Sequence, residues 1–186
     1  MATTTLLLID LQNDYFPGGS FPLPGAVQAG ERAAALLTAF REQGLPVVHV
    51  RHVSTRPGAT FFLPGTEGAN IHPSLAPLPG EPVVVKHRPN SFLDTELEAV
   101  LRGLGTEKLV VAGMMTNMCV DAGVRAAADL GFSCTLAHDA CAAAPLSFGG
   151  LDVPAPQVHA AFVAALGFGY AQVSSCQEIS AQMQAG

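Results

Sequence analysis

The run Val110-Val111-Ala112-Gly113-Met114-Met115-Thr116-Asn117-Met118-Cys119-Val120-Asp121 decides the fold of this 186-residue chain. An apolar strand runs into a glycine, a short turn follows, and a thiol stands where a helix begins. A strand that passes straight into a helix is half of a β-α unit, and such units pair their strands in parallel. The same alternation recurs outward from this point. Thr5–Asp10, Pro46–Val53, Val83–Lys86, Lys108–Ala112, Phe132–Ala137 and Tyr170–Ser174 read as strands, and Gly25–Gln43, Asn117–Leu130 and Ala155–Leu166 read as helices. Thr95-Glu96-Leu97-Glu98 has capping-box spacing and opens a further helix that stops near Gly103–Gly105. The expected fold class is α/β: a three-layer α/β/α sandwich with a mainly parallel, Rossmann-like sheet, forming one domain over residues 1–186.

Composition narrows the function classes. Apolar residues make up 49% of the chain and charged residues 13%, enough for a large core. A net charge of −6 with no basic cluster argues against a nucleic-acid partner. The apolar stretches are strand-length, so no membrane partner is expected, and the N-terminus lacks the basic region of a signal peptide. The four cysteines (119, 134, 141 and 176) form no C-x-x-C pair and no finger spacing, which suggests free thiols and a cytoplasmic location. Ser54–Pro82, rich in Pro and Gly, is long for a loop inside a compact domain and is expected to cover a site or an interface.

Sites of parallel α/β sheets lie beyond the carboxyl ends of the strands. Asp10 ends the first strand, Lys86 the third, and Cys119 follows the fourth, so all three emerge on one edge. A cysteine at a helix start feels the positive end of the helix dipole, and an ammonium lowers its pKa further, so a thiolate is expected. Unpaired N–H groups of the same turn could hold an oxyanion. Asp10 could take the thiol proton and later hand it to a departing amine. Each residue alone also fits a plainer role: a packing cysteine, a loop cap, a solvated strand end.

The pieces Leu7-Leu8-Ile9-Asp10-Leu11-Gln12-Asn13-Asp14-Tyr15-Phe16, Val84-Val85-Lys86, Gly113 to Val120, Ala126-Ala127-Ala128-Asp129-Leu130-Gly131 and His138-Asp139-Ala140 occur in an informative order and spacing. Together they resemble the isochorismatase-like cysteine hydrolase superfamily over essentially the whole chain. The resemblance implies an Asp10–Lys86–Cys119 triad, a cis peptide before Met115, and an oxyanion hole from the N–H groups of Met115 and Cys119. It also implies a homo-oligomer, a dimer or larger.

Departures from the family pattern sharpen the expectation. Nicotinamidase-like members carry a metal site after strand two, built around an Asp-x-His pair. Here the stretch is Val50-Arg51-His52-Val53-Ser54, with His52 near the acid's place and Ser54 in that of the histidine, so no metal and no cofactor are expected. Isochorismatases proper hydrolyse a vinyl ether and generally lack the cysteine. The leading expectation is therefore a metal-independent cysteine hydrolase that cleaves the C–N bond of a small-molecule amide through a thioester. An isochorismatase-type vinyl-ether hydrolase and a non-enzymatic thiol sensor are the alternatives.

Further candidates surround the triad. Gln12 could orient the acid, contact substrate or structure its loop. Phe16, Phe62 and Phe92 are candidates for pocket walls or for plain core. His52 could meet a polar substrate or make a structural hydrogen bond. Asn117, two residues before the cysteine, is a candidate for the pocket surface. Cys134 and Cys141 read as packing residues, and His159 as a satisfied or partner-contacting histidine.

Overall fold

The computed structural model describes residues 3–185. Six strands form the central sheet: β1 (Thr3–Ile9), β2 (Val47–His52), β3 (Val83–Lys86), β4 (Thr106–Met114), β5 (Ser133–Ala142) and, after a separate hairpin of β6 (Leu146–Phe148) and β7 (Leu151–Val153), β8 (Ala171–Ser174). Their order is β3-β2-β1-β4-β5-β8, and every neighbouring pair is parallel. The chain steps outward from β1 to β3, then returns to lay β4 on the other side of β1. The order therefore reverses between β1 and β4, which opens a crevice beyond their carboxyl ends.

Alternation along β1 explains the layers. Leu6 and Leu8 pack with Ala33, Leu36, Leu37 and Phe40 of α1 (Ala26–Glu42), and with Ile179 of a last helix, Cys176–Ala185. Leu7 and Ile9 point the other way, into Leu97 and Leu101 of α2 (Leu97–Gly103), Val124 and Ala127 of α3 (Asp121–Asp129) and Leu166 of α4 (Ala155–Gly169). A strand buried on both faces needs the uninterrupted apolar run Leu6–Ile9, and parallel sheets require that burial. The result is the expected three-layer α/β/α sandwich.

The structure corrects several local expectations. Thr95 and Glu98 do not close a capping box: α2 begins at Leu97, whose N–H is 3.3 Å from Thr95 Oγ1, while the Thr95 hydroxyl donates to the Ser91 carbonyl. The β6–β7 hairpin and the last helix, α5 (Cys176–Ala185), were not anticipated. Asp139 Oδ1 accepts the Cys176 N–H at 2.8 Å at the start of α5. The Ser54–Pro82 segment carries two 3-10 turns, Glu67–Ala69 and Pro73–Leu75, and returns to the sheet edge through an antiparallel bridge between Gln12 and Ile71. Among the described residues no helix is long and apolar enough to cross a membrane.

Candidate active site

Asp10 follows the last residue of β1 and adopts φ +53, a left-handed conformation that L side chains seldom take. Its N–H donates to the Val50 carbonyl at 3.0 Å, and its side chain is fully buried. Directly across the crevice, Gly113 pairs with Ile9 at φ +150. A Cβ there would collide with the Ile9 carbonyl oxygen, so only glycine lets β4 run this close to the carboxylate. The Met114–Met115 peptide is cis.

Lys86 comes from β3, two strands from β1. It pairs in register with His52 of β2, and its long side chain passes that strand end to reach Asp10 Oδ2 at 2.6 Å. Both side chains are fully buried. Burial alone would pull the lysine pKa down, but the Asp10 carboxylate outweighs it and the group is held charged. The ammonium also sits 3.1 Å from His52 Nδ1 and donates to the Arg88 carbonyl at 3.1 Å. An ammonium can only donate, so Nδ1 accepts and the neutral His52 ring carries its proton on Nε2. Burial, with the neighbouring ammonium, lowers the His52 pKa to about 4.

Cys119 lies on a π-helical turn, Thr116–Val120, between β4 and α3. A carboxylate oxygen of Asp10, a ring nitrogen of His52 and Cys119 Sγ all fall within 4.8 Å of one another. The turn is tied down by the Met118 and Val120 N–H groups, both 3.1 Å from the Met115 carbonyl, and by Thr116 Oγ1, 2.9 Å from His159 Nδ1 on α4. His159 thus braces the turn that carries the thiol.

Here one expectation is corrected. Burial pushes the Cys119 thiol up, the Asp10 carboxylate pushes it further, and Lys86 offsets only part of this. A helix start favours thiolate only where the sulfur keeps some solvation, and this one is buried. The resting group is a thiol beside a carboxylate. Asp10 Oδ1 has no hydrogen-bond donor among the described residues and is open to receive its proton.

Asp10, His52 and Cys119 form the only cluster of three potential metal ligands among the described residues. A cation already occupies it: the Lys86 ammonium touches both the carboxylate and the His52 nitrogen. The donor set therefore fits an ammonium and does not fit a metal ion.

Above the thiol opens a cavity of about 260 Å³. Of the candidates named from sequence, His52, Phe62, Met115 and Cys119 line it. Gln12, Phe16, Phe92 and Asn117 do not. Gln12 is a strap: its Nε2 donates to the His52 and Ala69 carbonyls at 2.8 and 2.7 Å, and its Oε1 accepts the His52 N–H at 2.8 Å. Phe16 stacks on His72 at 4.0 Å between ring centres. Phe92 packs against Phe132, and Asn117 Oδ1 accepts the Ala144 N–H at 3.2 Å. Each of the four has at least one polar atom or its ring engaged by a neighbour.

Sequence reasoning missed the lining residues Tyr15, Phe61 and Met118, which are apolar or aromatic, and Arg56, His87 and Arg88, which are polar. Arg88 could have been found from its place two residues beyond Lys86. Arg56 and Phe61 sit in the long irregular segment, where no periodicity says which way a side chain points. That segment folds over its own cavity. Phe62, at φ +56, donates its N–H to Asp14 Oδ2 at 2.6 Å, and Ser54 returns an N–H to the Phe62 carbonyl at 2.8 Å.

Residues 4–150 match the isochorismatase domain family. The chain is 49% identical over 175 residues to the isochorismatase family protein YddQ of Bacillus subtilis (strain 168), covering 94% of this chain and 97% of that one. It is 33% identical over 141 residues to maleamate amidohydrolase of Pseudomonas putida, covering 68% of this chain and 66% of that protein. The crystal structure of an isochorismatase hydrolase from Oleispira antarctica superposes with a TM-score of 0.93 at 58% identity, covering 96% of each chain. With the family domain matched over most of its length and a relative this similar end to end, the chain belongs to the isochorismatase family.

Proposed function

We propose that this isochorismatase-family hydrolase is a metal-independent cysteine amidohydrolase acting on a small molecule. The observation that carries the proposal is the meeting of a buried thiol, carboxylate and ammonium at the floor of one cavity. The similarity to an enzyme named maleamate amidohydrolase supports C–N chemistry.

The mechanism starts from the protonated thiol. As Cys119 Sγ approaches the substrate carbonyl, its proton passes to Asp10 and the S–C bond forms. Delaying proton loss until attack avoids placing a second anion beside the carboxylate. Lys86 holds Asp10 in place and stabilises negative charge on sulfur. The oxyanion is assigned to the N–H groups of Met115, just before the turn, and Cys119, within it, both residues of the cavity lining. Asp10 then protonates the nitrogen, the C–N bond breaks, and an amine or ammonia leaves a thioester. Water attacks the thioester carbonyl, giving one proton to Asp10, which returns it to sulfur as the carboxylic acid departs. The sum is amide plus water to acid plus amine.

A second possibility has an observation of its own. A thiol held protonated by burial is a poor resting nucleophile, and Asp10 acting as a proton donor would suit hydrolysis of a vinyl ether. One experiment separates the two. Ammonia or amine release from a panel of small amides is measured after dialysis against chelator, for the wild type and Cys119→Ala. The amidohydrolase is expected to survive chelation and to lose turnover in the variant. Isochorismate cleaved equally by both proteins, with every amide untouched, would sink the proposal in favour of the vinyl-ether reaction.

A further inference from the structure

The Lys86 ammonium has three protons to donate and three acceptors around it: Asp10 Oδ2 at 2.6 Å, His52 Nδ1 at 3.1 Å and the Arg88 carbonyl at 3.1 Å. Turning the His52 ring over would set a C–H against one of those protons beside a fully buried ion pair. The tautomer and the direction of the ring are therefore fixed together. The backbone is fixed as well. The Gln12 side chain donates to the His52 carbonyl and accepts its N–H, both at 2.8 Å, and the Phe62 ring stands 5.7 Å from the imidazole between centres.

The far side of the ring is unspent. Nε2 has no hydrogen-bond partner among the described residues, yet it is not one of the polar atoms sealed inside the protein, and His52 lines the cavity together with Cys119. A ring nitrogen of His52 lies within 4.8 Å of Cys119 Sγ, so a molecule seated over the thiol is within reach of the imidazole. The ring cannot serve as a base, because Lys86 takes the Nδ1 lone pair and Nε2 already carries a proton. Donation from the ammonium into Nδ1 polarises the ring and strengthens the N–H at its other side. An N–H so placed, with no acceptor in the protein, is a donor kept for a ligand.

We infer that His52 is a further substrate-contacting residue: a neutral imidazole locked as a donor, whose Nε2–H holds an acceptor oxygen or nitrogen of the molecule bound over Cys119. Gln12 and Lys86 are its positioning residues, the first through the backbone and the second through the ring. A ligand that presents an ammonium or an N–H at this place is rejected. The inference concerns what is held over the thiol and stands whichever reaction follows.

The test is alkylation of Cys119, which requires no turnover. Iodoacetamide and allyl bromide both alkylate a thiol: the S–C bond forms, halide leaves and the thiol proton passes to a base. Only iodoacetamide carries an acceptor, a carbonyl oxygen one carbon beyond the atom that sulfur attacks. Rates at Cys119, followed by peptide mass spectrometry, are taken as the ratio of the two reagents, so that a change in thiol reactivity cancels. In His52→Asn the side-chain oxygen still accepts from Lys86 but nothing reaches the Nε2 position, and the ratio is expected to fall about fivefold. In His52→Gln the amide nitrogen stands near that position, and most of the ratio should return. An unchanged ratio in His52→Asn, an equal fall in both variants, or a Cys119 that neither reagent modifies would each overturn the inference. Nitrogen NMR of the wild-type imidazoles checks the ring without substitution: a bare Nδ1 and a protonated Nε2 are expected, and the reverse tautomer sinks the inference. A wild type that hydrolyses no amide would leave this ratio untouched, so failure of the proposed chemistry and failure of this contact are distinguishable.

Discussion

Cys119 and Lys86 occupy the same site yet carry different burdens. Truncating Cys119 to alanine removes one sulfur from a packed floor and leaves the buried ion pair intact. It is expected to cut amide turnover by at least about 10³-fold while shifting stability by about 1 kcal/mol or less. Replacing Lys86 by methionine keeps the volume but strands a buried carboxylate. Urea unfolding should show a loss of about 3–5 kcal/mol, much of it recovered when Asp10→Asn is added. A Lys86→Met protein as stable as the wild type would mean that the Asp10 charge is not held in the folded state.

At the scale of elements, the approach of β4 to β1 depends on one residue. Gly113→Ala forces a methyl group into the Ile9 carbonyl and should cost about 3 kcal/mol or more in thermal or chemical unfolding. Gly131→Ala is the control: its φ is +88, but nothing lies within 4 Å of the new Cβ, so only about 1 kcal/mol of backbone cost is expected. This strand pair was also the most legible part of the sequence. The apolar runs of β1 and β4, each followed by a chemistry-bearing residue, placed the sheet and the three site residues on one edge. The pocket walls were not legible. Gln12 and Asn117 look available in sequence, and only the fold supplies the carbonyls and N–H groups that occupy them. The thiol's protonation was misjudged for a related reason: a helix start can be read from a few residues, whereas burial is a sum over the whole site.

For the whole molecule, four histidines shape the acid limb of stability, since burial lowers the pKa values of His49, His52, His72 and His159 alike. Burial lowers the pKa of His52 to about 4, and it lowers His49, which lies 2.9 Å from Glu81, as well. Their unfolded counterparts titrate near about 6.5. Below that pH the unfolded chain binds more protons than the native one, so stability must fall as pH drops from about 6.5 toward 4. Melting temperatures measured across this range should show the decline, and a His52→Gln variant should show less of it. A flat wild-type profile would contradict buried neutral imidazoles. Association of chains is proposed as well. Phe148, on the β6–β7 hairpin, and Phe168, on α4, are 92% and 96% exposed. Light scattering should give a mass well above 19.2 kDa, lowered by Phe148→Ser or Phe168→Ser.

The reach of Lys86 across β2 has one more consequence. β3 is the edge of the sheet, only four residues long, with Val83 and Val85 facing outward. Short edge strands normally fray, exchanging their amide protons with solvent far sooner than the interior does. This one cannot peel away without withdrawing the cation from Asp10 at the centre of the molecule. Its local opening therefore carries the penalty of exposing an unmatched charge in the core. Peripheral backbone and the buried Asp10–Lys86 pair open together, so exchange at Val84 and Lys86 reports on the integrity of that pair.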